Sequence, residues 1–135
     1  MGLDVTAKCL NSETGFCCGY IYYGNFIIEL VRVAYGEDLA KAFKEEAFHH
    51  RKFTNEEIEK WNAVCNDDLD LLIFHSDCDG KFTWQECGRI YKAMKDLKSD
   101  MIGYNYGVTE PYNMFEHWKE MFRLCWKHRN TMRYT

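Results

Sequence analysis

The sequence predicts a single α+β domain over residues 1–135, mostly helical, with a small sheet formed by N-terminal strands and a C-terminal strand. Three observations predict it. Apolar and polar residues alternate at both ends of the chain, in Leu3-Asp-Val-Thr-Ala7 and in Thr131-Met-Arg-Tyr134. Between the ends, apolar residues recur at helical spacing behind recognisable capping residues. The 135 residues, 47% of them hydrophobic and 16% aromatic with one proline, are enough to bury one sizeable core.

Taken in order, Leu3, Val5 and Ala7 share one face of a first strand. A turn-rich break follows at Asn11-Ser-Glu-Thr-Gly15, and Phe16 to Tyr23 is aromatic and strand-like up to Gly24, which predicts a hairpin. From Asn25, a capping residue, Phe26, Ile27, Leu30, Val31 and Ala34 follow helical spacing. Gly36 interrupts, and Leu39, Phe43 and Ala47 carry a second helix. Thr54-Asn-Glu-Glu57 has the form of a capping box for a helix bearing Ile58, Trp61 and Cys65. The stripe continues through Leu69, Leu72 and Ile73, with a break expected at Asn66-Asp67-Asp68. Thr83 is placed to cap a helix with Trp84, Cys87, Tyr91, Met94 and Leu97. Residues Ser99 to Thr109 form the longest irregular stretch, a candidate lid or partner surface. Pro111 suits a first helical turn, and Phe115, Trp118, Phe122, Cys125 and Trp126 make an amphipathic stripe expected to be core. The final strand is expected to pair with the first.

The formal charge of −4 argues against gripping a nucleic-acid polymer, which takes clustered lysine and arginine. The distribution is uneven: acidic residues crowd Glu37 to Asp79, while Lys119, Arg123, Lys127, Arg129 and Arg133 load the C-terminal end. No apolar run approaches the roughly 20 residues needed to span a bilayer, so no membrane partner is expected. Seven cysteines, an odd number without Cys-x-x-Cys spacing or a preceding secretory pattern, predict a reducing, cytoplasmic setting with most thiols free and buried. The start Met1-Gly2-Leu3-Asp4-Val5-Thr6 also fits the loose N-myristoylation pattern, but its alternation favours a strand.

The segment His75-Ser-Asp-Cys-Asp-Gly-Lys-Phe-Thr-Trp-Gln-Glu86 carries the most distinctive chemistry. Acidic groups at alternate positions, a glycine and a closing glutamate resemble the calcium loop of an EF-hand, whose oxygens surround a hard cation. His75 stands where that loop needs an oxygen donor, which weakens a calcium (or magnesium) site built on Asp77, Asp79 and Glu86. The competing reading has Asp77 and Asp79 holding turn and helix amides. His75 and Cys78 would form a base–nucleophile pair if they converged, yet the flanking aspartates oppose a thiolate. Glu45 and Glu46 stand four residues before His49 and His50, a helical spacing that ligates metals or simply decorates an exposed face. Small-anion recognition is a fourth option, with Tyr104, Tyr106 and other tyrosines stacking a base and Arg123, Lys127 or Arg129 meeting phosphate.

The Met-Gly-Leu-Asp start, the aromatic turn Tyr22-Tyr-Gly-Asn-Phe26, the Ser76-Asp-Cys-Asp-Gly80 turn and the late aromatic helix before a short strand resemble one family. It consists of small bacterial and phage proteins without a settled activity, and the resemblance spans nearly the whole chain. It implies an α+β fold rather than a pair of EF-hands, weakens the calcium reading, and makes a role in phage–host conflict an expectation. The expected function is a non-catalytic binding module that sequesters a small anionic, nucleotide-like ligand or a host protein. Its candidate ligand-binding residues are His75, Asp77, Cys78, Tyr104, Tyr106 and Arg123. The alternatives are a metal-assisted phosphodiester or nucleotide hydrolase using Asp77, Asp79 and Glu86, and a degenerate EF-hand-like cation binder.

Overall fold

A computed structural model describes residues 2–105 and 109–135. In chain order the elements are β1 (Leu3–Thr6), β2 (Phe16–Cys18), α1 (Tyr20–Tyr35), α2 (Glu37–His49), α3 (Asn55–Val64), α4 (Asp67–Ile73), β3 (Gly80–Phe82), α5 (Trp84–Met94), β4 (Ile102–Gly103), β5 (Tyr112–Asn113), α6 (Met114–His128) and β6 (Met132–Tyr134). The fold is α+β, as the sequence predicts.

One antiparallel sheet has the order β2-β1-β6-β3. β1 makes the expected hairpin with β2 and, on its other side, pairs Val5 with Tyr134 and Thr6 with Arg133. Reciprocal backbone bonds between Asp4 and Thr135 extend this pairing to the last residue, at 3.0 and 2.9 Å. Leu3 and Val5 are buried while Asp4 and Thr6 are exposed, so the alternation read in the sequence is the alternation of the strand's two faces.

β2 is shorter than its aromatic composition implies. It stops at Cys18, and the segment expected to stay extended to Tyr23 is already the first turn of α1, with Gly19 and not Asn25 preceding the helix. Tyr23, Phe26, Ile27, Leu30 and Val31 are buried at spacings of three and four, so tertiary burial of one helical stripe overrides the strand preference of the tyrosines. Gly36 has φ 104° and joins α1 to α2 at a bend that a side chain rarely adopts. Thr54 and Thr83 both make complete capping boxes, each hydroxyl accepting from the amide three residues on while the glutamate there accepts from the threonine amide. Asn66 caps α4 at the predicted break. The last helix begins later than Pro111 suggests: Asn113 Oδ1 accepts the Glu116 amide at 3.0 Å. Part of the stretch expected to be irregular is ordered by the pairing of β4 with β5.

α5 and α6 pack side by side, and α6 drives Phe115, Trp118, Phe122 and Cys125 into the core. Trp118 stacks on Phe26 at 5.0 Å and touches Phe16, Tyr23 and Phe122. Cys125 Sγ lies 3.7 Å from that of Cys9, and burial pushes the Cys9 thiol up to about 11. Among the described cysteines Cys87 and Cys125 are buried, Cys9 and Cys65 are half-buried, and Cys17 and Cys78 are exposed, fewer buried thiols than the sequence predicts. No helix of the described residues is long and apolar enough to cross a membrane.

His117 supplies a pH-sensitive joint. Its ring stacks on Tyr112 at 4.3 Å and its Nε2–H donates to the Gly15 carbonyl at 2.7 Å, fixing the β1–β2 loop against α6. Burial pushes its pKa below the ordinary 6.5, outweighing the Gly15 bond, so the folded chain holds the ring neutral. As pH falls through 6.5 the unfolded chain takes up this proton first, and stability falls until the folded value is reached. The urea midpoint should therefore drop between about pH 7.5 and 5.5, and drop less in His117→Gln, which retains a donor for Gly15; equal slopes would remove His117 from this role.

Candidate functional site

The acidic turn is built around Gly80, Ser76 and His75. Gly80 adopts φ 101°, and a Cβ placed there would come within 3.0 Å of the His75 ring. Both facts demand glycine: the turn needs a left-handed residue, and the imidazole occupies the space. His75 is half-buried and packs inward, 4.2 Å from Phe82 and 4.7 Å from Tyr134, while its Nδ1–H donates to the Ser76 carbonyl at 2.8 Å. The turn amides are met by Ser76, whose Oγ accepts from Cys78 N–H at 3.3 Å and Asp79 N–H at 3.4 Å. Asp77 and Asp79, expected to hold these amides, instead project into solvent.

The candidate metal ligands are not gathered. Glu86 Oε1 accepts the Thr83 amide at 2.9 Å in the capping box, and Asp77, Asp79 and Glu86 do not bring three ligand atoms within 4.8 Å of one another. Among the described residues that condition is met by Cys65, Asp67 and Asp70. There Asp70 already accepts from Tyr35 O–H at 2.7 Å and Trp61 Nε1–H at 3.2 Å, so its oxygens hold the α1–α3–α4 junction together. No hydrogen bond joins His75 to Cys78 among the described residues; the Cys78 thiol lies 3.5 Å from Ser76 Oγ. Glu45 pairs with Arg51, His50 is the left-handed residue ending α2, and Glu46 and His49 are exposed on that helix.

The expected ligand-binding residues fall into separate places. His75 and Asp77 line a groove of about 420 Å³ with Tyr20, Ile21, Tyr23, Phe43 and Phe48. It is mainly apolar, carries no lysine or arginine, and has an aspartate at its rim, so it repels the anion the sequence reading assigned to these residues. Cys78 is exposed on the turn outside that lining. Tyr104 is exposed and meets Tyr22 edge-on at 6.2 Å. Tyr106 lies outside the described residues.

Arg123 has different company. It lines a groove of about 440 Å³ with Trp84, Tyr91, Trp126, Lys127 and Arg129. Trp84 and Tyr91 stand on α5 with Gly88 between them, while Arg123, Trp126 and Lys127 face them from α6. The approach depends on Gly88: a Cβ there would lie 2.5 Å from the Trp126 ring, so the missing side chain is what seats the indole on α5. Tyr91 and Trp126 are 5.9 Å apart. Lys92 sits over Trp126 at 4.8 Å and Arg129 over Trp84 at 5.3 Å. Each cation prefers the negative face of its indole and keeps its hydrogen-bond donors available. Arg123 is held by Glu120 at 2.6 and 2.8 Å, which raises its pKa further and lowers that of the carboxyl. Lys92, Lys127 and Arg129 make no ion pair within 4.0 Å among the described residues, although the charge of Lys127 also acts on Glu120.

Trp84 and Trp126 escape identification from sequence because aromatic residues at helical spacing read as core. Both are in fact only half-buried. The signal available was the cations interleaved with them, Lys92, Arg123, Lys127 and Arg129. Compared with known protein families, curated proteins and solved structures, the chain matches none of the three.

A cap and a metal ligand at residue 86 respond differently to substitution. Thr83→Ala should cost about 1 kcal/mol in urea unfolding, and Glu86→Gln, which keeps an acceptor, less than half as much. Both costs should be the same in calcium and in chelator. A calcium-dependent rise in Tm that Glu86→Gln abolishes would instead return Glu86 to a metal site.

Proposed function

We propose that this protein is a non-catalytic binding module whose ligand is a small anion carrying a planar ring, of the nucleotide kind, held between α5 and α6. The observation that supports this most is the groove in which two indoles and a phenol stand with Arg123, Lys127 and Arg129, while Lys92 lies over the Trp126 ring beside that lining. A base stacks on these half-buried rings, worth about 1–3 kcal/mol, as Lys92 and Arg129 swing from the indole faces they cover to make charge-assisted bonds to its phosphate. The lining residues include neither a carboxylate nor a histidine, the commonest general bases, which favours binding over hydrolysis. Sequestration returns its ligand unchanged.

The test is calorimetric titration with deoxyadenosine monophosphate, followed by recovery of the nucleotide. Saturable binding, with intact nucleotide recovered, is expected. Trp126→Ala should weaken it about tenfold or more, and Gly88→Ala, which displaces the indole, should weaken it in the same direction. Binding indifferent to Trp126→Ala, or a hydrolysed product, would overturn this reading.

A further inference from the structure

The cationic surface does not end at the groove. Arg129 also lines a second depression of about 590 Å³, whose walls include Thr6, Lys8, Asn130 and Arg133. Arg129 thus belongs to both. It does so from a left-handed backbone, φ 55°, at the end of α6, where its amide donates to the Cys125 and Trp126 carbonyls. Glycine is the low-cost residue at such a position, and here an arginine occupies it.

The sheet continues the pattern. Arg133 in β6 is flanked in register by Thr6 of β1 and by Lys81 of β3, and all three side chains are exposed on the solvent face. Two like charges directly opposite each other destabilise a strand pair. Neither Lys81 nor Arg133 has a carboxylate partner among the described residues, and neither has Lys8. In a chain of net charge −4, these unpaired cations therefore lie side by side, continuous with the aromatic groove through Arg129.

We infer that the ligand is a short single-stranded oligonucleotide, with one base stacked at Trp84 and Trp126 and the following phosphates led across Arg129 to Lys8, Arg133 and Lys81. A single strand fits because an unpaired base exposes the π-face that the half-buried indoles take up, whereas a duplex keeps its bases stacked. The formal charge that argues against a polymer is a sum, and phosphate responds to the local arrangement. This inference rests on the groove reading proposed above.

The experiment compares deoxyadenosine monophosphate with an oligodeoxyadenylate of about ten nucleotides, across a salt series, using wild-type protein, Lys8→Glu, Arg133→Glu and Arg133→Gln. The strand is expected to bind at least about tenfold more tightly than the monophosphate, with a log–log salt slope near −2 for about three neutralised phosphates. Lys8→Glu and Arg133→Glu should each remove most of that gain and leave the monophosphate affinity unchanged. Arg133→Gln, with no repulsion and checked for folding by its melting curve, should give the same result more mildly. Equal affinity for both ligands, or strand binding indifferent to Lys8 and Arg133, would overturn the oligonucleotide while leaving the groove reading intact. Failure of both ligands to bind would overturn both.

Discussion

The placement of Tyr134 is the constraint on which the rest of the structure depends. It is 2% exposed, one residue from the end of the chain described, and it meets Tyr23, Phe82 and His75 edge-on at 5.6, 5.6 and 4.7 Å. Its hydroxyl lies 3.0 Å from that of Tyr23, a buried pair that satisfies both polar atoms. Burial raises the pKa of both phenols, so they remain uncharged where a phenolate would be costly. Aromatic contacts of this kind contribute about 0.5–1.5 kcal/mol each beyond area burial. Through them one residue binds α1, the acidic turn and the last strand together. With Tyr134 inward, the alternation of the strand turns Arg133 outward, so the contact that closes the core also orients the cationic face.

The same strand accounts for what became of the EF-hand-like segment. The helix–turn–helix outline is present, as α4, the Gly80 turn and α5. Its intervening strand β3, however, pairs with β6 and not with a sister loop. The turn then needs no ion to hold it. Ser76 meets its amides, Gly80 supplies the bend, His75 fills the space beneath, and Glu86 closes the cap on α5. The acidic residues keep the spacing of a metal loop in the sequence, but Asp77, Asp79 and Glu86 do not gather their oxygens in space.

Local chemistry was legible and distant partnership was not. The caps at Thr54 and Thr83, the bend at Gly36 and the terminal strands could be read because each depends on residues within a turn or on a period of two. Tyr20 to Tyr23 reads as strand because aromatic residues prefer that state, and only the buried stripe that Tyr23 shares with Ile27 and Leu30 overrides the preference. β3 was not legible: three residues wedged between a turn and a helix cap have no period, and their partner lies about fifty residues on. Arg123, Lys127 and Arg129 could be named together as candidate phosphate contacts, but their neighbours Trp84, Gly88 and Tyr91 could not, since these reach them from another helix. Gly88 reads as a weak point in a helix until the Trp126 indole is seen against it.

The four tryptophans divide between the two roles described, Trp61 and Trp118 in the buried interior and Trp84 and Trp126 in the groove. The most direct test is a titration of ¹⁵N-labelled protein with deoxyadenosine monophosphate, following the indole N–H resonances. The account predicts saturable shifts for Trp84 and Trp126, with Trp61 and Trp118 nearly still. Resonances that all stay in place, or shifts confined to Trp61 and Trp118, would contradict it.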